Sequence, residues 1–219
     1  MQINVLRFFI YFCHSMRSYL FRSNAFMQQF WSSYYWKTRE KAAVHLTFDD
    51  GPHPVITPFV LDLLKKYDVR ATFFCIGNNV ARYPEVYQSI IDAGHTIGNH
   101  TYDHKNGWKT PDSLYIRNVL KAEALIGSRL FRPPYGRIRN KQARYLIKRG
   151  YKIVMWSLLT GDFDRNLSPE SCWNHTVTRL KEGDIIVFHD SEKAWDRLEY
   201  ALPRLLAYCR QKKWDIRSL

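Results

Sequence analysis

The chain has 219 residues, 46% of them apolar and 16% aromatic, which is enough for one well-packed domain and short for two. Lys and Arg outnumber Asp and Glu by 33 to 20, a formal net charge of +13, which favours anionic polymers or acidic membrane faces as partners and says nothing about fold. Cys13, Cys75, Cys172 and Cys209 show neither C-x-x-C spacing nor clustering, which excludes a readable disulfide framework or thiolate zinc site and leaves reduced core thiols.

From the N-terminus, Val5 to Phe12 (VLRFFIYF) is apolar but carries Arg7, with Arg17 and Arg22 after it. The run is too short for a transmembrane helix of about 20 residues. A poor signal peptide, an amphipathic surface segment and a packing arm all remain open, the arm being preferred. Residues 1–41 are therefore set apart as an arm without recognisable chemistry, and 42–219 as the folded domain.

Beyond Lys41, short apolar runs alternate with helical patterns punctuated by Gly or Pro. The first predicted strand is Ala43 to Phe48. A helix follows with Thr57 as N-cap, Pro58 at its first position, and Val60, Leu61, Leu63 and Leu64 on one face. Next come a strand at Ala71 to Ile76, a helix at Pro84 to Asp92 and a strand at His95 to Asn99. Then follow a helix at Pro111 to Ile126, a strand at Leu130 to Arg132, a helix at Asn140 to Arg149 and a strand at Lys152 to Ser157. A helix at Pro169 to Glu182, a strand at Asp184 to His189, a helix at Ala194 to Lys212 with a kink expected at Pro203, and a strand at Trp214 to Leu219 complete the chain. Several helices stop at a Gly suited to a left-handed cap, as at Gly127. Seven strands alternating with helices imply an α/β fold with parallel strands, a barrel or a doubly wound sheet. In either, active-site residues gather where strands end.

By that rule the polar residues converge. The first strand ends at Asp49-Asp50, the third at Asn99-His100, the fourth at Arg132 and the sixth at His189-Asp190. His100 and His104 in HTYDH stand four apart, which on a helical turn puts both imidazoles on one face, as zinc requires. Alone the pair is a weak signal, because Thr101 stands where the metalloprotease pattern has Glu. A carboxylate from another strand completes an open set of two His and one Asp. One of the two aspartates can then bind metal while its neighbour accepts a proton from water, their repulsion offset by the cation and a nearby Arg.

TFDDGP (Thr47 to Pro52), HTYDH (His100 to His104), RPPYG (Arg132 to Gly136) and IVFH (Ile186 to His189), in this order, resemble the polysaccharide deacetylases. This is carbohydrate esterase family 4, with the NodB-like chitooligosaccharide and the peptidoglycan N-acetylglucosamine deacetylases. The resemblance covers Lys41 to Leu219 and implies a distorted (β/α)7 TIM-like barrel for the catalytic domain, 42–219. It implies removal of N-acetyl groups from N-acetylhexosamine units with a divalent metal, foremost Zn2+. Carried over, Asp50, His100 and His104 would hold the metal, Asp49 would be general base and His189 general acid. Tyr135 would offer its backbone N–H to the oxyanion and Arg132 would orient Asp49. Tyr135, Val187 and Phe163 fall at substrate-binding positions, Val187 where a Leu lining the acetyl pocket is common.

One motif departs from the pattern: where many members have D-x-x-D-W, this chain reads Leu159-Thr160-Gly161-Asp162-Phe163. The first Asp, expected to pair with the motif Arg, is Leu159, and Asp162 or Asp164 is the candidate to replace it beside Arg132. Each motif also has a bland reading. Asp49-Asp50 before Gly-Pro is more often a solvated turn, Arg132 a loop residue, and His189 a satisfied core histidine; their joint placement at strand ends weighs against that. His45, His53, His95 and His175 read as structural or surface residues. Between Arg129 and Lys152 stand nine Lys or Arg and no acid, either a solvated helix face or a cradle for an anionic polymer or membrane surface. Trp108 and Trp195 are candidates to stack on sugar rings. No specific nucleic acid is expected. Two rival functions stand: a metal-dependent hydrolase of another non-peptide C–N bond, and a non-catalytic glycan or polyanion binder. The substrate glycan, the oligomeric state and the compartment, bacterial envelope or cytoplasm, stay open.

Overall fold

Residues 21–219 are described in a computed structural model; the run Val5 to Phe12 and Cys13 lie outside them. Successive side chains of a strand point to opposite faces, and β1 (Ala43–Asp49) shows the consequence. Val44, Leu46 and Phe48 pack outward into the main core with the helices, and His45, Thr47 and Asp49 take the other face. β2 (Thr72–Cys75) divides likewise: Phe73 and Cys75 join the main core, and Phe74 joins Val154 and Ile185 in a small inner cluster.

The remaining strands are β3 (Thr96–Asn99), β4 (Leu130–Phe131), β5 (Lys152–Ile153), β6 (Leu158–Leu159), β7 (Ile185–His189) and β8 (Asp215–Arg217). They form one parallel sheet in the order β5-β4-β3-β2-β1-β7-β6, curved into a half-barrel, with β8 paired to the first residues of β1. This is a distorted (β/α)7 arrangement. The path holds seven strands, but not the seven expected, because Lys152 to Ser157 is not one strand. Tyr35 of the arm takes its middle: Tyr35 N–H donates to the Ile153 carbonyl and Met155 N–H to the Tyr35 carbonyl. The chain then changes neighbours and resumes as β6 beside β7.

The described part of the arm, residues 21–41, thus lies along the seam between β5 and β6. It bridges Arg22 to Leu158 and Tyr35 to Val154, buries Tyr34 and Trp36, and anchors through the Arg22 guanidinium on buried Asp184 at 2.8 and 2.9 Å.

The helices are α1 (Ala25–Phe30), α2 (Ile56–Tyr67), α3 (Gly77–Arg82), α4 (Pro84–Asp92), α5 (Asp112–Ile126), α6 (Asn140–Lys148), α7 (Pro169–Arg179) and α8 (Trp195–Lys212). The short α1 and α3 carry too few periodic positions to stand out in sequence. Gly127 closes α5 in the left-handed conformation as expected. Thr57 is not the N-cap of α2: the helix begins at Ile56, and the Thr57 hydroxyl donates to Asp190 while accepting from His53 N–H. α8 runs through Pro203 without a break in its helical assignment. No helix among the described residues is long and apolar enough to cross a membrane.

Candidate active site

The carboxyl ends of β1, β3, β4 and β7 bring five of the sequence-selected side chains to one mouth. Asp50 Oδ1 lies 3.2 Å from His104 Nε2 and 3.7 Å from His100 Nε2, and the three ligand-type atoms all fall within 4.8 Å of one another. His100 Nδ1 lies 2.7 Å from the Arg132 carbonyl, which can only accept, so the ring's proton sits on Nδ1 and its Nε2 lone pair faces the cluster. Burial pushes His100 down to about 4, only partly offset by Asp49, so the ring is neutral at pH 7. Asp50 Oδ1 is buried and accepts no well-directed hydrogen bond. Burial alone would raise the Asp50 pKa, but the close approach of the His104 imidazole, with His189 and His100 beyond it, holds it well below the usual carboxylate range. A carboxylate oxygen and an imidazole lone pair aimed at each other without a proton between them repel. These donors fit a divalent cation, and a 2-His-1-Asp set suits zinc.

HTYDH is not a helical turn, contrary to the spacing argument. Thr101 and His104 have φ of 65° and 54°, outside the helical region. Side-chain amides replace helical hydrogen bonds: Asn99 Oδ1 accepts from Thr101 N–H, and Asn118 Oδ1 accepts from those of Tyr102 and Asp103. The ring centroids still stand 5.1 Å apart. Of the seven described non-Gly residues at positive φ, Asp50, Thr101, His104 and Tyr135 cluster here, the stored strain expected of a functional site.

Arg132 is wholly buried. It donates to Asp49 Oδ1 and Thr47 Oγ1, each at 2.7 Å, and to the Met155 carbonyl at 2.9 Å, with its guanidinium 4.1 Å from the Phe74 ring centroid. Neither Asp162 nor Asp164 is its partner, so the expected replacement for Leu159 does not occur. Of the Arg132 nitrogens, Nε alone is left without an acceptor among the described residues, the kind of vacancy the loss of one carboxylate leaves. Leu159 is instead an apolar residue of β6 beside Val187.

Asp162 belongs to His189. Its Oδ1 is 2.8 Å from His189 Nδ1, and its Oδ2 accepts the His189 N–H at 2.7 Å. The β6 chain, past Gly161, delivers Asp162 to the end of β7, its sheet neighbour, and buried Arg197 fixes the loop by donating to the Asp162 carbonyl. Burial alone would lower His189, but the Asp162 charge and hydrogen bond, then Asp50 and Asp49, raise it to about 9. Phe163 stands edge-on to the His189 ring at 5.1 Å, and Val187 lies one pleat below His189 on the same face of β7. Tyr135 has φ of 61°, its ring packs on His104 at 4.7 Å, and among the described residues no acceptor meets its N–H.

Sequence reasoning passed over Thr47 and gave Asp190 no role. Asp190 Oδ1 accepts the Gly51 N–H at 3.0 Å and Oδ2 the Thr57 hydroxyl, tying the Asp49-Asp50 turn to β7. The inward phase of β1 marks Thr47 in hindsight; Asp190 carries no such signal. A Cβ on Gly51 would stand 2.1 Å from Asp190 Oδ2. Gly51→Ala is therefore expected to cost about 2–3 kcal/mol by overpacking. In a chain of this size that lowers the thermal midpoint by about 5–10 °C in a melting scan. Trp195 packs edge-on against Phe59, whereas Trp108 is exposed.

A parallel α/β half-barrel with its ionisable groups gathered at the strands' carboxyl ends is the frame of a barrel enzyme. The polysaccharide deacetylase family profile matches residues 37–154, and the chain belongs to that family. A peptidoglycan-N-acetylglucosamine deacetylase of Bacillus cereus is 35% identical over 75% of this chain and 64% of its own length. A second from that organism is 37% identical over 74% of this chain and 79% of its own. The chitooligosaccharide deacetylase of Azorhizobium caulinodans is 32% identical over 70% and 76%. A crystal structure of a peptidoglycan N-acetylglucosamine deacetylase superposes with a TM-score of 0.82 at 30% identity, covering 90% of this chain and 95% of that one. A CE4 family pseudoenzyme from Bacillus anthracis also superposes, with a TM-score of 0.74 at 25% identity over 84% and 66%. The fold therefore hosts inactive members, and catalysis must be argued from the side chains.

Proposed function

We propose that this chain is a divalent-metal-dependent deacetylase that hydrolyses the acetamido group of N-acetylhexosamine units in a poly- or oligosaccharide. The observation that carries the proposal is the convergence of Asp50, His100 and His104 beside two separately supported ionisable groups, Asp49 on Arg132 and His189 on Asp162. Asp50, His100 and His104 would hold the metal, best Zn2+, which polarises the amide carbonyl and makes water easier to deprotonate.

The remaining work belongs to the side chains. Asp49, its carboxylate oriented by Arg132, accepts the proton of the attacking water. The Tyr135 N–H, held open by its left-handed backbone, donates to the developing oxyanion. His189 is charged at neutral pH, and with Nδ1 committed to Asp162 it donates from Nε2 to the departing amine. Phe163 and Val187 supply apolar surface for the acetyl methyl. The relatives' names support N-acetylglucosamine polymers as the substrate class.

The test is acetate release from chitooligosaccharides and peptidoglycan, beside small acetamides, on protein stripped with chelator and then reloaded. Activity is expected only with the ion restored. Saturation at 100 times Kd is expected to stabilise the fold by about 2.7 kcal/mol, raising the melting midpoint by roughly 5–10 °C. Glycan binding without acetate release at any metal load would favour a non-catalytic relative.

A further inference from the structure

Between the arm and the barrel mouth lies a cavity of about 300 Å3, at the lower end of the range for small-molecule sites. Trp31 and Trp36 of the arm line one side, and Trp108, Trp156 and Tyr135 line the barrel side. Tyr135 also packs its ring on His104, so the cavity adjoins the metal cluster. A bound sugar presents C–H faces that match such indole surfaces. Trp31 and Trp36 precede residue 37, where the match to the family begins, so this wall belongs to the chain's own arm.

Arg137 lines the same cavity, its guanidinium 5.2 Å from the Trp108 ring centroid. Four other arginines are spent on carboxylates. Arg22 pairs with Asp184, Arg129 with Glu123, Arg132 with Asp49 and Arg139 with Asp112. Among the described residues Arg137 has no carboxylate partner. A half-buried guanidinium that stacks on an indole and keeps its fork of donors unspent is a receptor for a planar anion. Exposed Lys141, Arg144 and Lys148 on α6 extend the positive field beyond it.

Resting on the deacetylase reading, we propose that this cavity holds the sugar next to the one deacetylated, and that Arg137 binds a carboxylate carried by that neighbour. The preferred substrate is then an acidic N-acetylglucosamine copolymer, one whose alternate sugar bears a carboxylate directly or through a peptide. A neutral chitooligosaccharide fills the aromatic surface and leaves the guanidinium unpaired.

The test compares kcat/KM for acetate release from peptidoglycan glycan fragments and from chitooligosaccharides of equal length, in wild type, Arg137→Met and Arg137→Lys. Wild type is expected to favour the acidic chain. Arg137→Met is expected to lower the acidic-to-neutral ratio about ten- to a hundredfold, chiefly through KM, with Arg137→Lys between. The preference should shrink as salt rises and vanish when the fragments' carboxylates are amidated. Equal losses on both chains, or an unchanged ratio, would overturn the proposal. Wild type releasing acetate from neither glycan would instead sink the deacetylase reading. Titration calorimetry of the same two glycans against the same variants would then decide recognition by itself, an equal Kd for both in wild type refuting it.

Discussion

Asp49→Asn is expected to retain its full metal content and to lose at least a hundredfold in acetate release. The amide that replaces the carboxylate cannot take a proton from water, and general-base assistance is worth about 10²–10⁴. Asp50→Asn should behave differently: with one of three ligands weakened, metal content and activity fall together. Metal analysis of the two purified variants separates the roles, and a metal-free Asp49→Asn would contradict the assignment. A stability effect accompanies the first change, because among the described residues Asp49 is the only carboxylate facing the wholly buried Arg132 guanidinium. Removing one partner of a buried pair costs about 3–5 kcal/mol, and Asn can still accept the Arg132 N–H, so the loss should lie below that range. The activity assay must therefore be run well below the variant's lowered melting point.

The departure at Leu159 bears on the same pair. A pseudoenzyme shares this fold, and a missing motif Asp invites the same conclusion here. The surroundings of Arg132 argue otherwise. It donates to Asp49, Thr47 and Met155 and lies over the Phe74 ring, so one absent carboxylate leaves a single nitrogen unmet. Asp49 remains ion-paired and buried at the mouth, where a base is needed.

The placement of Asp49, Asp50, His100, Arg132 and His189 was legible in sequence because it follows from topology. Parallel strands all end at one face, so polar residues that break apolar runs must meet there. The alternation in β1 reports which side each residue takes. What could not be read depends on contacts without period. The spacing of His100 and His104 reads as a helical turn, whereas Asn99 and Asn118, from the strand before and the helix after, hold them in an irregular loop. The arm's role along the β5–β6 seam leaves no pattern in Phe21 to Lys41, since it rests on two single-residue bridges and the Arg22–Asp184 pair. The departure at Leu159 makes Asp162 or Asp164 the expected partner of Arg132. His189 decides against Asp162: the chain after β6 ends beside β7, where both Asp162 oxygens are taken by the His189 ring and backbone N–H.

That pairing carries the last large prediction. Burial by itself would drive the His189 pKa below that of a free imidazole, and Asp162, through charge and hydrogen bond, does most to lift it to about 9. A base raised from its unfolded value near 6.5 contributes stability that is fully present below about pH 6.5 and is lost as pH rises through about 9. Across that window the contribution is on the order of 3 kcal/mol. The same proton is the one His189 gives to the leaving amine, so kcat should fall as pH climbs through the His189 pKa. A cation held by Asp50 cancels that aspartate's share of the upward shift and leaves Asp162's in place. Asp162→Asn is therefore expected to move the alkaline limb of the pH–rate profile down by more than one pH unit. A limb that moves to the free imidazole value near 6.5 costs about thirtyfold at pH 8, with most of that recovered at pH 5.5. A loss of equal size at every pH would mean that Asp162 only positions the ring, and an unmoved alkaline limb would remove His189 from the proton-transfer step.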